Sequence, residues 1–390
     1  MERLPRRGVL RRLHVGPRGP EFESLPITPS EPRSDPMPLE PLLLQGSPRE
    51  RGLAHGESFR ALIHELMMAW EDDVAAETDL WLDDYLQMFR AETDFLSSAV
   101  KWTPDLIEEV RGIAEGACLP FDTCFSLQCM DEHWTHVEKV KNRKRPDTCS
   151  TLAVAAHGGH PTRLGQNMDL PPFLDGFQTL LRIEQDGEVA LVPSYAGFLG
   201  LFGVNGAGLG VGVNALSQLK QSPRGVPVAC VVRALLSCRS VGEAVKVLED
   251  VPHASAQHYL LASANEVVGL ECSAGGVAPM AATSRLCHTN HPLVSTDVSD
   301  AYQAWDHDRA KADEKHALTL TRLERLEEGM ANGNVALDEM KALLAKVAHP
   351  IDGPYGTFTF CSAVIELGEE PLLHVALGAE GTPYHAFAVR

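Results

Sequence analysis

The spacing of apolar residues changes near residue 148, and this change divides the chain into a helical part and a strand-rich part. From Glu57 to about Ser98, apolar residues recur at the three- and four-residue spacing of a helix that is buried on one side. The next helix is predicted to begin after Thr103, a capping residue followed by proline, and to stop at Gly116. One more helix is predicted over residues 121–134.

From Ser150 onwards, apolar residues form short runs separated by glycine-rich turns, which is typical of strands. Later helices are predicted over residues 227–238, 240–251, 297–328 and 337–347, with three strands after them. Hairpins outnumber strand–helix–strand crossovers, so the sheets should be mostly antiparallel. The strands are apolar on both faces, which suits two stacked sheets covered by helices. The predicted fold class is α+β, a four-layer αββα sandwich.

Composition and charge exclude several classes of protein. The 390 residues carry a formal net charge of −19, which should repel nucleic acid and anionic membrane surfaces. Apolar runs fall short of the roughly 18 residues that a membrane-spanning helix needs. The N-terminus is basic but lacks the apolar stretch of a secretory signal. We therefore predict no nucleic-acid partner, no membrane and a disordered tail over residues 1–45, in which Met37 could be the true start.

The nine cysteines indicate a reducing compartment. Their number is odd, most lie in apolar runs, and there is no Cys-x-x-Cys pair, a pattern typical of buried free thiols. A cytoplasmic location is expected. Cys287, His288 and His291 are close in sequence, but a zinc site needs further ligands at suitable spacing. We predict neither a metal nor a cofactor.

Cys149 stands at the junction of the two parts, between a charged stretch, residues 138–148, and a buried strand. The stretch resembles an exposed linker that could be cut. A cysteine can act with a histidine as base, and sixteen histidines leave that alternative open. The other arrangement uses the free α-amino group of the nucleophile itself as the base. Cys149 could work in that way only after the Thr148–Cys149 bond has been cleaved.

Several stretches, in this order and spacing, carry a resemblance to a known family: RGLAHGESFRALI, WTPDLIEEVRGIAEG, CSTLAV, GQNMDL, GVNGAGLGVGVNAL, GVPVACVVRALL, SVGEAVKVLED and HTNHP. From about Gly46 to Arg390 the chain resembles the N-terminal-nucleophile (Ntn) hydrolase family of acyl-CoA:6-aminopenicillanate acyltransferases, peptidase family C45, which includes β-alanyl-amine hydrolases of the insect Tan type. The resemblance implies self-cleavage into a helical α-chain or propeptide, residues 46–148, and a β-chain, residues 149–390. The two would form one composite domain, an α/β heterodimer that could assemble further.

The resemblance also assigns roles to individual residues. It implies that Cys149 is the nucleophile and, after cleavage, supplies the α-amine as base. Asp169 would hydrogen-bond and orient that amine. Asn214 and Asn290 resemble the two amides that stabilise the tetrahedral oxyanion, and Arg322 is the best candidate for an arginine near the cysteine. His288, His291 and Tyr195 are weaker candidates for the lining of the pocket.

Thr148 departs from the family, which usually has glycine before the cysteine. Its β-branched side chain could crowd the peptide bond that must be cleaved. The favoured function is a self-processing amidohydrolase that cleaves a linear N-acyl amide through an acyl-enzyme. An alternative is acyl transfer from a thioester such as acyl-CoA to an amine. A third hypothesis, of a different class, is an uncleaved, non-catalytic binding protein.

Overall fold

Two β-sheets packed face to face form the centre of the protein, whose computed structural model describes residues 40–141, 148–300, 302–303, 309–331, 335–353, 356–379 and 381–390. The strands are β1 Leu42–Leu44, β2 Ser150–Val154, β3 Thr162–Leu170, β4 Gln178–Gln185, β5 Glu188–Tyr195, β6 Gly203–Asn205, β7 Gly210–Ala215, β8 Gln257–Ala262, β9 Val267–Ser273, β10 Gly276–Pro279, β11 Arg285–His288, β12 Phe358–Leu367, β13 Leu372–Leu377 and β14 His385–Ala388.

Eleven α-helices are found in the same parts of the chain. They are α1 Pro48–Ser58, α2 Arg60–Thr78, α3 Leu82–Glu92, α4 Phe95–Trp102, α5 Pro104–Ala117, α6 Phe121–Leu127, α7 Met130–Lys141, α8 Val228–Leu235, α9 Val241–Asp250, α10 Arg309–Met330 and α11 Leu337–Lys346. None of the described helices is both long and apolar enough to cross a membrane.

The two sheets are antiparallel except at one edge. The larger has eight strands in the order β1-β4-β5-β6-β7-β8-β9-β10, and the smaller has six in the order β11-β2-β3-β12-β13-β14. Only β1 pairs in parallel, with β4, among the strand pairs of the described chain. The predicted α+β class with mostly antiparallel sheets is therefore confirmed.

The Gln166 side chain of β3 joins the two sheets through the central layer by binding the backbone of β7. Gln166 on β3 donates from Nε2 to the carbonyl oxygen of Val213 at 3.0 Å, and its Oε1 accepts from the Val213 amide at 2.8 Å. Gly212, next to Val213, leaves room for this contact, because a Cβ there would lie 3.1 Å from Gln166 Oε1 and 3.2 Å from Thr151 Cγ2. The even-numbered residues of β7 thus face the six-stranded sheet.

Helices cover the outer faces of both sheets. Helices α10 and α11 enclose a separate apolar cluster against the six-stranded sheet, which includes Leu344 of α11 and the strand residues Leu152 and Val364. Helix α9 packs on β8 and β10 of the eight-stranded sheet, and the large apolar cluster extends from that sheet into the N-terminal helices. The layers are helix, sheet, sheet and helix, as predicted.

Helices α1 and α5 approach each other so closely that their backbones touch. The contact is made by Gly52 and Gly56 of α1 with Gly112 and Gly116 of α5. A Cβ added at Gly52 would lie 1.8 Å from the carbonyl oxygen of Glu109, and one at Gly112 would lie 2.2 Å from another backbone oxygen. Only glycine fits at these positions, which explains the Gly-x-x-x-Gly spacing in both helices.

Three predicted boundaries differ from the structure. The helix expected over residues 121–134 is two helices, because Gln128 lies between them and binds the loop after β5 through Gly197 and Leu199. Part of the tail expected over residues 1–45 is ordered as β1, whose Leu44 is fully buried. Helix α7 runs to Lys141, into the stretch expected to be a linker. Residues 1–39 of the expected tail, with Met37, and linker residues 142–147 lie outside the described residues.

Candidate active site

Cys149 lies immediately before β2, which is paired with β3 and β11 in the six-stranded sheet. It is 8% exposed. Its sulfur lies 3.5 Å from the backbone nitrogen of Asp169 and 3.7 Å from the sulfur of Met168, both on β3. Burial, followed by the negative charge of Asp169, raises the pKa of the Cys149 thiol well above its usual value. The thiol is therefore protonated and needs a base before it can attack.

Arg322, on α10, binds the backbone on both sides of the Thr148–Cys149 peptide bond. Its Nη1 donates to the carbonyl oxygen of Thr148 and, at 2.6 Å, to that of Cys149. The same nitrogen lies 2.9 Å from Ser150 Oγ, and Nη2 donates to Asn290 Oδ1 at 3.0 Å. The side chain is 3% exposed, so it is not a solvated helical arginine. A guanidinium at this point would stabilise negative charge on the Thr148 carbonyl oxygen.

Asp169 is a buried carboxylate at the end of β3, beside the cysteine. Neither of its oxygens makes a hydrogen bond of normal geometry within the described chain. Burial raises its pKa to about 7, although the hydroxyls of Thr359 and Thr148 and the charge of Arg322 act in the opposite direction. His349 Nε2 lies 3.8 Å from Asp169 Oδ2. The carboxylate is thus placed to accept a hydrogen bond from a cation that forms next to Cys149.

Asn214, on β7, presents a donor that is buried and has no acceptor. Its Oδ1 accepts from Thr151 Oγ1 at 2.6 Å and from His258 Nδ1 at 3.1 Å. Its Nδ2 has no hydrogen-bond partner among the described residues. Because Thr151 is two residues from Cys149 along β2, the amide belongs to the surroundings of the nucleophile. An amide N–H held in this way is suited to binding an oxyanion.

Asn290 is more heavily engaged than Asn214. Its Nδ2 donates to the carbonyl oxygen of Ala215 at 2.9 Å, and its Oδ1 accepts from Arg322. The amide therefore fixes the guanidinium relative to β7 and has one N–H left to offer to a ligand. Its role as an oxyanion donor stays a prediction.

Several residues of the site escaped the sequence analysis. Thr357 binds Thr148, with 2.7 Å between the two hydroxyl oxygens. His349 lies beside Asp169, and burial and the positive charge of Arg322 lower its pKa to about 4, so it is neutral at physiological pH. A Thr-x-Thr pattern at the start of β12 was the available signal for Thr357. Nothing local distinguishes His349 from the other histidines of the chain.

A cavity of about 90 Å³ opens beside Thr148 and Cys149. One wall is a single face of α7, since Asp131, Trp134 and Glu138 follow the three- and four-residue spacing of a helix. Apolar residues form much of the rest: Met168, Leu170, Phe198, Leu201, Val213, Val228 and Val232. Of the weaker candidates, Tyr195 lines the cavity, whereas His288 and His291 are not among the described residues that do. A third asparagine, Asn205 at the end of β6, has a structural role: its Nδ2 donates to the carbonyl oxygens of Leu236 and Cys238, and its Oδ1 accepts from the Leu209 amide.

Two comparisons of the sequence with known proteins, a family model and a relative, name the same kind of protein. A family model described as acyl-coenzyme A:6-aminopenicillanic acid acyl-transferase matches residues 156–351. The acyl-coenzyme A:6-aminopenicillanic-acid-acyltransferase 40 kDa form of Emericella nidulans is 27% identical over 255 residues, which cover 64% of this chain and 69% of the relative. The solved structure of penicillin V acylase from Agrobacterium tumefaciens is similar with a TM-score of 0.41 and 18% identity, over 62% of this chain and 85% of that chain. The segment matched by the family model begins after Cys149, so the role of that cysteine rests on the geometry of the site.

Proposed function

This chain belongs to the acyl-coenzyme A:6-aminopenicillanic acid acyl-transferase family, and from that premise we propose that it is a self-processing amidohydrolase with Cys149 as its nucleophile. Its substrate would be a linear N-acyl amide. Cleavage would leave two chains, residues up to 148 and residues 149–390, that stay associated because they share the central layers of the fold.

The observation that carries the proposal is the binding of two consecutive backbone carbonyl oxygens by Arg322, one of which belongs to the Thr148–Cys149 peptide bond. The guanidinium donates to the carbonyl oxygens of both Thr148 and Cys149, while the Cys149 thiol lies against the backbone of Asp169. A buried arginine that binds two consecutive carbonyl oxygens costs desolvation free energy. Stabilisation of an oxyanion that forms on the Thr148 carbonyl oxygen would explain why the buried arginine lies there.

Self-cleavage would proceed by an N→S acyl shift. The Cys149 sulfur attacks the carbonyl carbon of Thr148, a C–S bond forms, and the C–N bond breaks as the nitrogen takes the thiol proton. Arg322 stabilises the oxyanion of the tetrahedral intermediate. Water then attacks the thioester, which releases the Thr148 carboxylic acid and leaves Cys149 with a free thiol and a free α-amine.

Turnover would use that α-amine as the base. An α-amino group has a pKa of about 8, so part of it is neutral at physiological pH and can take the thiol proton. The thiolate attacks the substrate carbonyl, the C–N bond breaks, and the amine product leaves with a proton from the α-ammonium. The acyl-enzyme thioester is then hydrolysed by water. Asn214 would donate to the oxyanion in both steps, and Asp169 would orient the α-ammonium.

Acyl transfer is the second candidate, because the family model and the relative from Emericella nidulans both carry that activity in their names. It differs in both halves of the reaction: the acyl group comes from a thioester whose CoA thiol leaves when the acyl-enzyme forms, and an amine in place of water then attacks the acyl-enzyme. The cavity favours hydrolysis of an amide over use of acyl-CoA. Asp131 and Glu138 line it, and neither Lys nor Arg does among the described lining residues, whereas polyphosphates are usually bound by basic side chains and helix N-termini.

The first experiment is denaturing intact-mass analysis of the wild-type protein beside Cys149→Ala. Two fragments in the wild type, one beginning at Cys149, and a single chain in the variant are expected. Cys287→Ala is the matched control, because it also removes a buried thiol. Cys287 lies in the apolar cluster on the outer side of the six-stranded sheet, so its replacement should leave cleavage intact. An uncut wild type would contradict self-processing and favour a non-catalytic binding protein.

The second experiment separates hydrolysis from transfer. The cleaved protein is incubated with N-acyl p-nitroanilides of increasing acyl length, and separately with the matching acyl-CoA thioesters and a primary amine. Release of p-nitroaniline and free acid, lost in Cys149→Ala, is the expected result. Formation of the new amide from acyl-CoA, without cleavage of any anilide, would favour acyl transfer over amide hydrolysis.

A further inference from the structure

Asn214 is the first member of a row of polar side chains that crosses three neighbouring strands. It lies directly opposite His258 on β8, and His258 lies directly opposite Glu271 on β9. All three are fully buried. His288, at the end of β11 in the other sheet, completes the group by stacking on His258, with ring centroids 3.8 Å apart and planes 8° from parallel.

From this group, and resting on the proposed function, we propose that His258 is a positioning residue that holds the Asn214 amide with its Nδ2 free for the oxyanion, and that the His288–Glu271 pair holds His258 in place. None of the three touches the cysteine, so their effect on the reaction would pass through Asn214.

The His288–Glu271 pair is an ion pair on geometric grounds. His288 Nε2 lies 2.9 Å from Glu271 Oε1, and Nδ1 lies 2.7 Å from the carbonyl oxygen of Thr289. Both ring nitrogens face acceptors, so both carry hydrogen and the ring is an imidazolium. The Glu271 carboxylate also accepts from the backbone amides of Leu293, Val294 and Ser295. A carboxylate bound by a cation and three amides stays ionised and fixes the plane of His288.

His258, in contrast, is neutral. Burial and the charge of His288 both hold its pKa well below the usual value. Its single N–H has one possible acceptor, because Nε2 has no hydrogen-bond partner within the described chain. Nε2 faces an apolar site against Gly269, where an added Cβ would come within 3.0 Å of it and even closer to Leu286 and Met280. The proton therefore belongs on Nδ1, which points at Asn214.

The position of that proton decides which way the Asn214 amide is turned. With hydrogen on His258 Nδ1 and on the Thr151 hydroxyl, both neighbours donate, and Oδ1 of Asn214 must be the atom that faces them. Nδ2 is then directed away from both, with its hydrogens unused. If the His258 proton moved to Nε2, Nδ1 would become an acceptor and would favour the flipped amide, which leaves an oxygen in place of the oxyanion donor.

The kinetic test uses substitutions that differ at one nitrogen. In His258→Asn the side-chain amide nitrogen can stand where Nδ1 stood and still donate to Asn214, whereas His258→Leu has no donor. With p-nitrophenyl butyrate as an acyl donor, the Leu variant should lose about 10- to 100-fold in kcat with KM within about twofold, and the Asn variant should recover most of the loss. His253→Leu, a buried histidine outside this group, is the control for a lost imidazole and should leave kcat unchanged.

Equal rates in the Leu and Asn variants, whether both high or both low, would overturn the proposal. If the Leu variant does not fold, His258→Gln takes its place, because its amide nitrogen lies at the Nε2 position and cannot reach Asn214. Nitrogen-15 NMR of labelled histidines gives a reading that needs no activity: His258 should be the Nδ1–H tautomer and His288 doubly protonated. An Nε2–H signal for His258 would also overturn the proposal. If the wild type hydrolyses p-nitrophenyl butyrate no faster than Cys149→Ala, that result counts against the proposed function. The NMR tautomer of His258 then tests its positioning of Asn214 independently of activity.

Discussion

Replacing Asp169 by Asn is expected to stabilise the uncleaved chain, and the gain should increase with pH. In the folded protein the pKa of Asp169 is raised from 3.8 to about 7. An acid with a raised pKa holds its proton in the folded state over the interval where the unfolded state has lost it. Asp169 is therefore most favourable for folding below about pH 4, where it is protonated in both states. As pH rises, the free energy of unfolding falls, and it levels off above pH 7.

The magnitude follows from the shift. Each pKa unit corresponds to about 1.4 kcal/mol, so the change from 3.8 to about 7 amounts to about 4 kcal/mol in total. About 3 kcal/mol of this decrease in the free energy of unfolding occurs between pH 5 and pH 8. The cause is a carboxylate that has left water without gaining a hydrogen bond of normal geometry from the described residues. Asn has the same shape and cannot ionise, so the penalty disappears.

The assay is urea unfolding followed by tryptophan fluorescence, in the Cys149→Ala background so that the chain stays intact. The double variant Cys149→Ala/Asp169→Asn should have a higher free energy of unfolding than Cys149→Ala. The difference between the two variants should be about 3 kcal/mol larger at pH 8 than at pH 5. Asp72→Asn in the same background is the control, because Asp72 is exposed on α2, and its effect should not depend on pH. A difference between the double variant and Cys149→Ala that stayed constant, or shrank as pH rose, would show that the carboxylate is ionised at both pH values and refute the reasoning.

Three further changes test other contacts. Arg322→Lys should slow self-cleavage by about 10- to 100-fold in a mass time course, since a single ammonium cannot reproduce the planar guanidinium that binds both carbonyl oxygens through Nη1 and Asn290 through Nη2; the exposed Arg325→Lys is its control, and equal rates would contradict the role. Thr148→Gly should cleave several times faster than wild type because the β-branch is gone; slower cleavage would mean that the Thr148 side chain positions the bond. Gly112→Ala should lower the free energy of unfolding by about 3 kcal/mol or more in urea, whereas Gly242→Ala, with open space at its Cβ, should change it by less than about 1 kcal/mol.

Local signals were enough for the layers of the fold. The start of α5 is marked by Pro104 at its first position, although Thr103 before it makes no capping bond and donates to the carbonyl oxygen of Ala99. Alternation or runs of apolar residues mark β12, β13 and β14. These features depend on a few neighbouring residues, so they can be read without the rest of the chain. The break between α6 and α7 could not be predicted locally, because it lies at Gln128, whose side chain hydrogen-bonds a loop about seventy residues later.

The site shows the same division. The sequence determined which residues carry suitable chemistry: a cysteine before a buried strand, an acid about twenty residues on, two asparagines and an arginine. What each residue can do depends on its surroundings in the packed fold. The 3% exposure of Arg322, the pKa of about 7 at Asp169 and the orientation of the Asn214 amide arise from groups far apart in the chain. Burial and hydrogen-bond partners are properties of the packed layers, and electrostatic free energies depend on them far more than on residue type.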